Sequence, residues 1–476
     1  MKNGKPLKRA LTNYEDKFTE DEPVMWFVFL CSFWRREEMF NTYAQALDWI
    51  HSRLRLGIKP GLARMNWMLD RLGNPERKIK TIHIGGTNGK GSTVTFLRCI
   101  LEEAGYRVGT FTSPYFEQFN ERISINGEPI SDEDIVKLAN IIKPLADELE
   151  QTELGGPTEF EIITAMSIYF FGKIDTQVDV VIFEVGLGGR FDSTNVIHPL
   201  LSVITSIGLD HTNILGHTYQ EIAMEKAGII KNGVSAISGV KQPEALAVIK
   251  NTAHEMDAPF YGAAEQFFIT EQSSLPKGER FSVSSPFGVY DGLEVGLIGK
   301  HQTENASLAI MASQVLCHYF SFQISETDIR GGLAKAYWPG RFEVLSEKPH
   351  VIIDGAHNEE GIIALVNELK TRFNDKRIDI LFAALKDKKL VNMVSSLDTV
   401  ANSITFTQFD FPRAAMAEEL FYLSSASAKE KTEDWKAFLD EKIVHLKPGE
   451  LLVVTGSLYF ISEVKPHLHK ILKNKL

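Results

Sequence analysis

The stretch TIHIGGTNGKGST, residues 81–93, closes an apolar run with glycines, one lysine and hydroxyl side chains. Glycines let backbone N–H groups face an anion, a helix starting near Ser92 would offer its positive end, and Lys90 adds a point charge. That is the chemistry of a phosphate cradle. The spelling departs from the standard pattern G-x-x-x-x-G-K-[ST] twice: Ile84 stands where the first glycine belongs, and Gly91 intrudes between Lys90 and Ser92. A glycine turn joining a strand to a helix is the plainer alternative.

Three further polar features follow apolar runs. Glu184 ends VVIFEVGLGGR, where a carboxylate can hold Mg²⁺ or orient a water beside phosphate. Asp210-His211 lies in SIGLDHTNILG; magnesium prefers oxygen donors, so a lone histidine reads more simply as structural. Ser113, in TFTSPY, is otherwise a turn serine before proline. Taken singly each is ordinary, yet all fall at carboxyl ends of strands, where open parallel sheets bind ligands. Lys226, in QEIAMEKAGII, has Glu221 and Glu225 nearby, and a surface ion pair is its simplest reading. GKHQTENASLAI (299–310) offers Asn305 near a helix start, where capping is the plain role. Arg341 and Asp354, in PGR and IIDGAHN, make either an ion pair worth little if exposed or a nucleotide clamp, with Arg341 on phosphate and Asp354 on ribose.

The elements that must position these groups alternate between Val/Ile-rich strands and helix-length amphipathic segments, which indicates an α/β fold. The run STVTFLRCILEEAGY puts Val94, Leu97, Leu101 and Ala104 on one helical face, and RVGTFTS is a second strand, so the loop sits inside a βαβ unit. VDVVIFEV (178–185) and LLSVITSI (200–207) are near-continuously apolar, as parallel strands covered on both faces are. A second series comprises HVIIDG (350–355), RIDILFAAL (377–385), SITFTQFD (403–410) and ELLVVTG (450–456). Trp338-Pro339-Gly340 is the expected hinge between a large phosphate-loop domain with a mainly parallel sheet, 39–338, and a smaller Rossmann-like domain, 341–476.

Composition agrees with a soluble globular chain: 476 residues, 44% apolar and 24% charged. A net charge of −11 argues against nucleic acid or an acidic membrane as the main partner. Cys31, Cys99 and Cys317 form no CxxC pair, as expected in a reducing cytoplasm. The apolar run MWFVFLCSFW (25–34) is too short to span a bilayer, and acidic residues precede it, unlike a signal peptide. Residues 1–38 are expected to form an extension outside the fold, with Met39 the better domain start. A monomer is the default expectation.

The ordered motifs GTNGKGS, TSPYFEQFNERISING, PTEFEIITA, FEVGLGGRFDSTN, GLDHTNILG, EKAGIIK, HQTENA, WPGR and DGAHNEEG resemble the folylpolyglutamate synthase/dihydrofolate synthase family of the Mur-ligase superfamily, from about Met39 onward. The resemblance implies ATP-dependent amide-bond formation: a pteroate or folate carboxylate becomes an acyl phosphate, which the amino group of L-glutamate attacks. By matching motifs, Thr87, Asn88, Gly89, Lys90, Gly91 and Ser92 would bind ATP phosphates, with Asn305, Arg341 and Asp354 completing the nucleotide site. Ser113, Glu184 and His211 would ligate magnesium, two ions in all, and the resemblance also allows a monovalent cation. Lys226 matches a lysine that the family carbamylates with CO₂, which would make it an anionic metal ligand. Lys90, Glu184, His211 and Lys226 would thus be catalytic. The pterin side would involve Lys59, Pro60, Gly61 and Leu62, then Thr158, Glu159, Phe160 and Glu161, and Phe191, Asp192 and Ser193; His357 and Ser457 would meet the incoming glutamate. The implied partners are dihydropteroate, reduced folates and glutamate. A synthase making only one of the two additions has the same ATP and metal motifs. A Mur-type cell-wall ligase fits FEVGLGGRFDSTN less well, and a nucleotide-driven switch leaves His211, Lys226 and the Arg341/Asp354 pair unexplained.

Overall fold

The computed structural model describes residues 39–173 and 176–473; the expected extension over 1–38 lies outside the described residues. The chain divides into two compact units, one from the residues up to Lys78 with Ser131–Thr176, the other from Ile79–Ile130 with Gln177–Leu476.

The first unit is helical. Thr42 and Gln45 form a capping box at the start of the helix Tyr43–Ser52. Ser131 caps Asp132–Glu150, whose first turn carries three acids that suit its positive end. Ala46, Ile50, Met65, Met68, Ile135, Leu138, Ile142, Ile162 and Met166 are fully buried and form its interior. Thr158 and Glu161 exchange hydrogen bonds at the start of the helix Glu159–Lys173: the Thr158 N–H donates to Glu161 Oε2 (2.8 Å), and the Glu161 N–H donates to Thr158 Oγ1 (3.2 Å).

The second unit holds three sheets. The largest runs in the order β4-β3-β2-β5-β1-β6-β7-β8. Its strands are β1 (Thr81–Gly85), β2 (Val108–Phe111), β3 (Ile123–Ile125), β4 (Glu128–Pro129), β5 (Val180–Glu184), β6 (Leu201–Ile204), β7 (Ser235–Ser238) and β8 (Phe260–Gly262). All pairs from β2 to β8 are parallel; β3 and β4 add an antiparallel edge. The five residues of β1 and of β5 are buried without exception, as the continuous apolar runs require. The chain leaves β1 toward β2 on one side and leaves β6 toward β7 on the other, so the loops after β1 and β6 border a topological switch point.

A three-stranded antiparallel sheet, β9 (Phe268–Ser274), β10 (Glu279–Ser285) and β11 (Gly288–Val295), precedes the long helix Lys300–Phe320. The sequence reading did not anticipate it, because these strands are polar and largely exposed on one face and lack a continuous apolar run. The third sheet has the order β12-β13-β17-β14-β15-β16, from β12 (Glu343–Glu347), β13 (His350–Asp354), β14 (Arg377–Phe382), β15 (Ser403–Phe406), β16 (Lys429–Lys431) and β17 (Glu450–Thr455). It is parallel apart from β12. The expected architecture, a large mainly parallel sheet followed by a smaller α/β region, is the one observed.

One buried ion pair in the helical unit invites a test. Glu161 is 1% exposed, and Arg64 Nε reaches both its carboxylate oxygens at 2.9 and 3.1 Å while Arg64 Nη2 holds the Lys59 carbonyl at 2.7 Å. Removing the cation strands a buried carboxylate, so Arg64→Met should destabilise the protein by about 3 kcal/mol. Calorimetric melting checks this; an unchanged transition would contradict the pairing.

Candidate functional site

After β1 the chain turns into the glycine loop, and the helix Lys90–Glu103 begins at Lys90, two residues earlier than Ser92. Gly89 occupies a left-handed conformation (φ 86°), and a side chain there would collide with the Asn305 carboxamide. Asn305 does not cap its helix, Lys300–Phe320, whose N-cap residue Gly299 brings no side-chain cap. It lies within the helix and covers the loop. Gly91 explains the unusual spelling after Lys90: a Cβ there would come within 2.9 Å of the Trp338 indole. Trp338, read from sequence as part of a hinge, is also a wall of the loop.

The loop after β6 holds the glycine loop from the side. Thr87 N–H donates to Ser206 O (2.9 Å), Asn88 N–H donates to Ser206 Oγ (2.9 Å), and Thr205 Oγ1 donates to Asn88 O (2.6 Å). Lys90 Nζ folds back onto the carbonyls of Gly86 (3.0 Å) and Thr87 (3.1 Å).

Lys226 makes no surface ion pair. It is 4% exposed, and its Nζ donates to the same Gly86 carbonyl at 3.0 Å. Glu221 instead caps its own helix start, accepting from the His217 and Thr218 N–H groups. The helix Tyr219–Ala227 has one face against the core, and Lys226 falls on it. Burial, then the charge of Lys90, pushes the Lys226 ammonium down to about 7.

Glu184, at the end of β5, is 4% exposed, and its Oε2 accepts the Ser113 N–H at 3.2 Å. Burial raises its carboxyl, with Lys90 the main opposing charge and Arg341 a smaller one. Lys90 itself is lowered by burial, opposed first by Glu184 and then by Asp210. His211 sits in a left-handed conformation (φ 50°) with its N–H on Asp210 Oδ1 (2.8 Å); burial lowers its imidazole, against the pull of Asp210. The structure therefore gathers Lys90, Glu184, Asp210, Lys226 and Arg341 in one electrostatic neighbourhood.

The segment after β13 joins them. Asp354 accepts the Phe342 (2.7 Å) and Ala356 (2.9 Å) N–H groups, and burial raises its carboxyl despite Arg341. His357 Nδ1 lies 2.9 Å from Gly355 O, and burial holds its imidazole down to about 4, so it is neutral at pH 7. Two residues that sequence reasoning missed tie the glycine loop and Asp210 to the segments after β13 and β14. Asn358 Nδ2 donates to Asn88 Oδ1 (2.9 Å) and Asp210 Oδ2 (3.3 Å), and Lys388 Nζ donates to Asp210 Oδ1 (2.7 Å). Their signals were faint: Asn358 adjoins His357 in DGAHNEEG, and Lys388 follows the apolar run of β14.

The remaining candidates divide between the two units. In the helical unit, Arg64 ties Glu161 to Lys59, and Lys59 Nζ donates to Gly156 O (3.2 Å), so the 59–62 and 158–161 segments are neighbours. Pro60 and Gly61 lead to Leu62, which precedes the helix Ala63–Arg71. Glu159 approaches His51 at 3.9 Å, and Phe160 follows it in the first turn. In the other unit, Phe191 is 49% exposed, whereas the Asp192 carboxylate is spent on its own loop, accepting Leu187 N–H (2.8 Å) and Thr194 N–H (3.0 Å). Ser193 starts the buried turn Ser193–Val196, and Ser457, 1% exposed, precedes the helix Leu458–Lys473.

Among the described residues no three His, Cys, Asp or Glu side chains form a ready metal cluster. Glu184 and Ser113 supply oxygen, the donor type magnesium selects, and His211 is held toward its neutral form. Lys226 as an ammonium cannot ligate. By donor type alone the set suits a divalent cation, and only if Lys226 carries oxygen.

Among the described residues no helix is long and apolar enough to cross a membrane. Comparison with known proteins places the site in a family. Residues 84–313 match the Mur ligase middle domain, and residues 340–458 match the Mur ligase glutamate ligase domain. The dihydrofolate synthase/folylpolyglutamate synthase of Bacillus subtilis is 51% identical over 432 residues, 90% of this chain and 100% of that protein. The folylpolyglutamate synthase of Mycobacterium tuberculosis, solved with ADP and AMPPCP, superposes with a TM-score of 0.81 at 30% identity, covering 89% of this chain and 98% of that one. Escherichia coli FolC, solved with DHPP and ADP, gives 0.79 at 30% identity over 89% and 98%. The two matched domains and the 51% identity over the full length of the Bacillus subtilis relative make this chain a member of the Mur ligase family, in its dihydrofolate synthase/folylpolyglutamate synthase branch.

Proposed function

We propose that this protein uses ATP to join L-glutamate to dihydropteroate, to the γ-carboxylate of folates, or to both, through an acyl phosphate. The observation that carries the proposal is the convergence of Lys90 and Lys226 on the Gly86 carbonyl, beside Glu184 and Arg341. A nucleotide switch needs a cradle and one acid. It has no use for a second buried lysine on the same carbonyl.

The chemistry follows from placement. The Thr87–Ser92 loop and Lys90 hold the β- and γ-phosphates, Asn305 covers the loop, and Arg341 and Asp354 take the phosphate and ribose. A substrate carboxylate oxygen attacks the γ-phosphorus and ADP departs; the glutamate amine then attacks the acyl carbon, releasing phosphate and a proton. Ser113, Glu184, His211 and carbamylated Lys226 would hold magnesium, two ions in the full set, and a monovalent cation belongs to the same reading. Magnesium supplies neutralisation of the phosphate oxygens as charge shifts between them. Lys226 gains its carbamate when its neutral amine adds to CO₂ and loses a proton, and its ammonium is already pressed down to about 7. Lys59–Leu62 and Thr158–Glu161 are assigned to the pterin side, as are Phe191 and Ser193, with Asp192 shaping their loop. His357 and Ser457 are assigned to glutamate. We further propose a functional division into 39–338 and 341–476 and a monomeric cytoplasmic enzyme; the family-model boundaries at 313 and 340 support the division.

Mass spectrometry of products from dihydropteroate and from tetrahydrofolate, each with ATP and glutamate, tests the function. Glutamylated products with stoichiometric ADP are expected. ATP turnover indifferent to both substrates would sink the ligase reading. Lys226→Ala should lose most activity and regain part of it with a small added carboxylate; full activity without rescue would eliminate the carbamate role. Gly91→Ala should raise the KM for ATP by about tenfold through its clash with Trp338, and Gly91→Ala/Trp338→Leu should recover part of the loss. Equal kinetics for wild type and Gly91→Ala would contradict the contact.

A further inference from the structure

A second buried charge cluster shares, among the described residues, no hydrogen bond with the groups assigned above. Glu279 of β10 is 0% exposed, while Arg372 and Glu368, from the helix Glu359–Arg372, have side chains 9% and 6% exposed. Arg372 spends its whole fork here: Nε on Glu368 Oε2 (3.0 Å), Nη1 on Leu275 O (2.6 Å), and Nη2 on Gly278 O (3.0 Å) and on Glu279 Oε1.

The same two carboxylates also meet the start of the helix Lys300–Phe320. Gly299 N–H donates to Glu279 Oε1 (2.9 Å), and Lys300 N–H donates to Glu368 Oε1 (3.1 Å). Those N–H groups have no partner within the helix, and Gly299 brings no side-chain cap, so the two acids replace one. One acid comes from the antiparallel sheet and the other from the region matched to the glutamate ligase domain. Asn305 lies five residues after Lys300 on this helix, and its carboxamide rests over Gly89.

We propose that Arg372 is a positioning residue for the nucleotide. It fixes Glu279 and Glu368 on the first N–H groups of the helix and thereby sets where Asn305 lies over the glycine loop. The proposal rests on the reading that Asn305 covers bound ATP. A guanidinium can bridge two carboxylates and two carbonyls at once, whereas one ammonium cannot. The cluster also links nucleotide affinity to the seating of the helix Glu359–Arg372, which begins beside Asn358.

The test uses the full chain and ADP titration by calorimetry, with steady-state kinetics. Arg372→Met should weaken ADP binding and raise the KM for ATP by about tenfold, with kcat within about twofold and the KM for glutamate unchanged. Arg372→Lys should recover little. In a cycle with Asn305→Ala, the double variant should bind ADP no worse than Asn305→Ala alone. If Arg372→Met does not fold, Glu368→Leu, which removes the acceptor for Lys300 N–H, carries the same expectations. Unchanged ADP affinity in a folded variant, or losses that add to that of Asn305→Ala, would overturn the positioning role. Wild type that binds no ADP would remove the nucleotide reading itself, and the proposal with it.

Discussion

Two lysine ammonium groups converge on one peptide carbonyl, and much of this protein is arranged around that crowding. Lys90 and Lys226 each lie 3.0 Å from Gly86 O, which keeps their nitrogens within about 6 Å of each other. At an effective dielectric of about 20, two fixed positive charges at that separation repel by roughly 3 kcal/mol. The nearby anions answer this: Glu184 at the end of β5, Asp210 after β6 and Asp192 in its self-capped loop. A conversion of Lys226 from cation to anion would turn the repulsion into attraction, which gives the carbamate a physical motive within this chain.

Around the loop, glycines let backbone and side chains approach closely. Gly91 lets Trp338 reach the loop, and Gly89 lets Asn305 cover it. Walls of this kind exclude water, and an acyl phosphate survives only where water is excluded. Asn358 and Lys388 finish the enclosure by tying the loop and Asp210 to the segments after β13 and β14.

Much of this was legible in sequence because strands buried on both faces leave continuous apolar runs, and polar residues at their ends stand out. The Ile84 anomaly resolves simply: β1 continues through Gly85, so the turn begins one step later than the standard pattern places it. Polar, half-exposed strands leave no such trace, and β9 to β11 went unread. Long-range polar contacts leave none either. Arg372, Glu279 and Glu368 are common residue types at unremarkable spacing, and their joint burial exists only when the chain is folded.

The sequence by itself determined the α/β class, the phosphate loop, the strand-end acids and the family, since each is written in local patterns or ordered motifs. Tertiary structure alone decided where the Lys226 side chain goes. Its helix carries Glu221 and Glu225, either of which could pair with it at a surface. Which face turns inward depends on a core assembled from β5, β6 and the following helices, and that packing sends Lys226 to Gly86, 140 residues earlier in the chain. Local spacing cannot encode so distant a partner; the shared burial of apolar faces does.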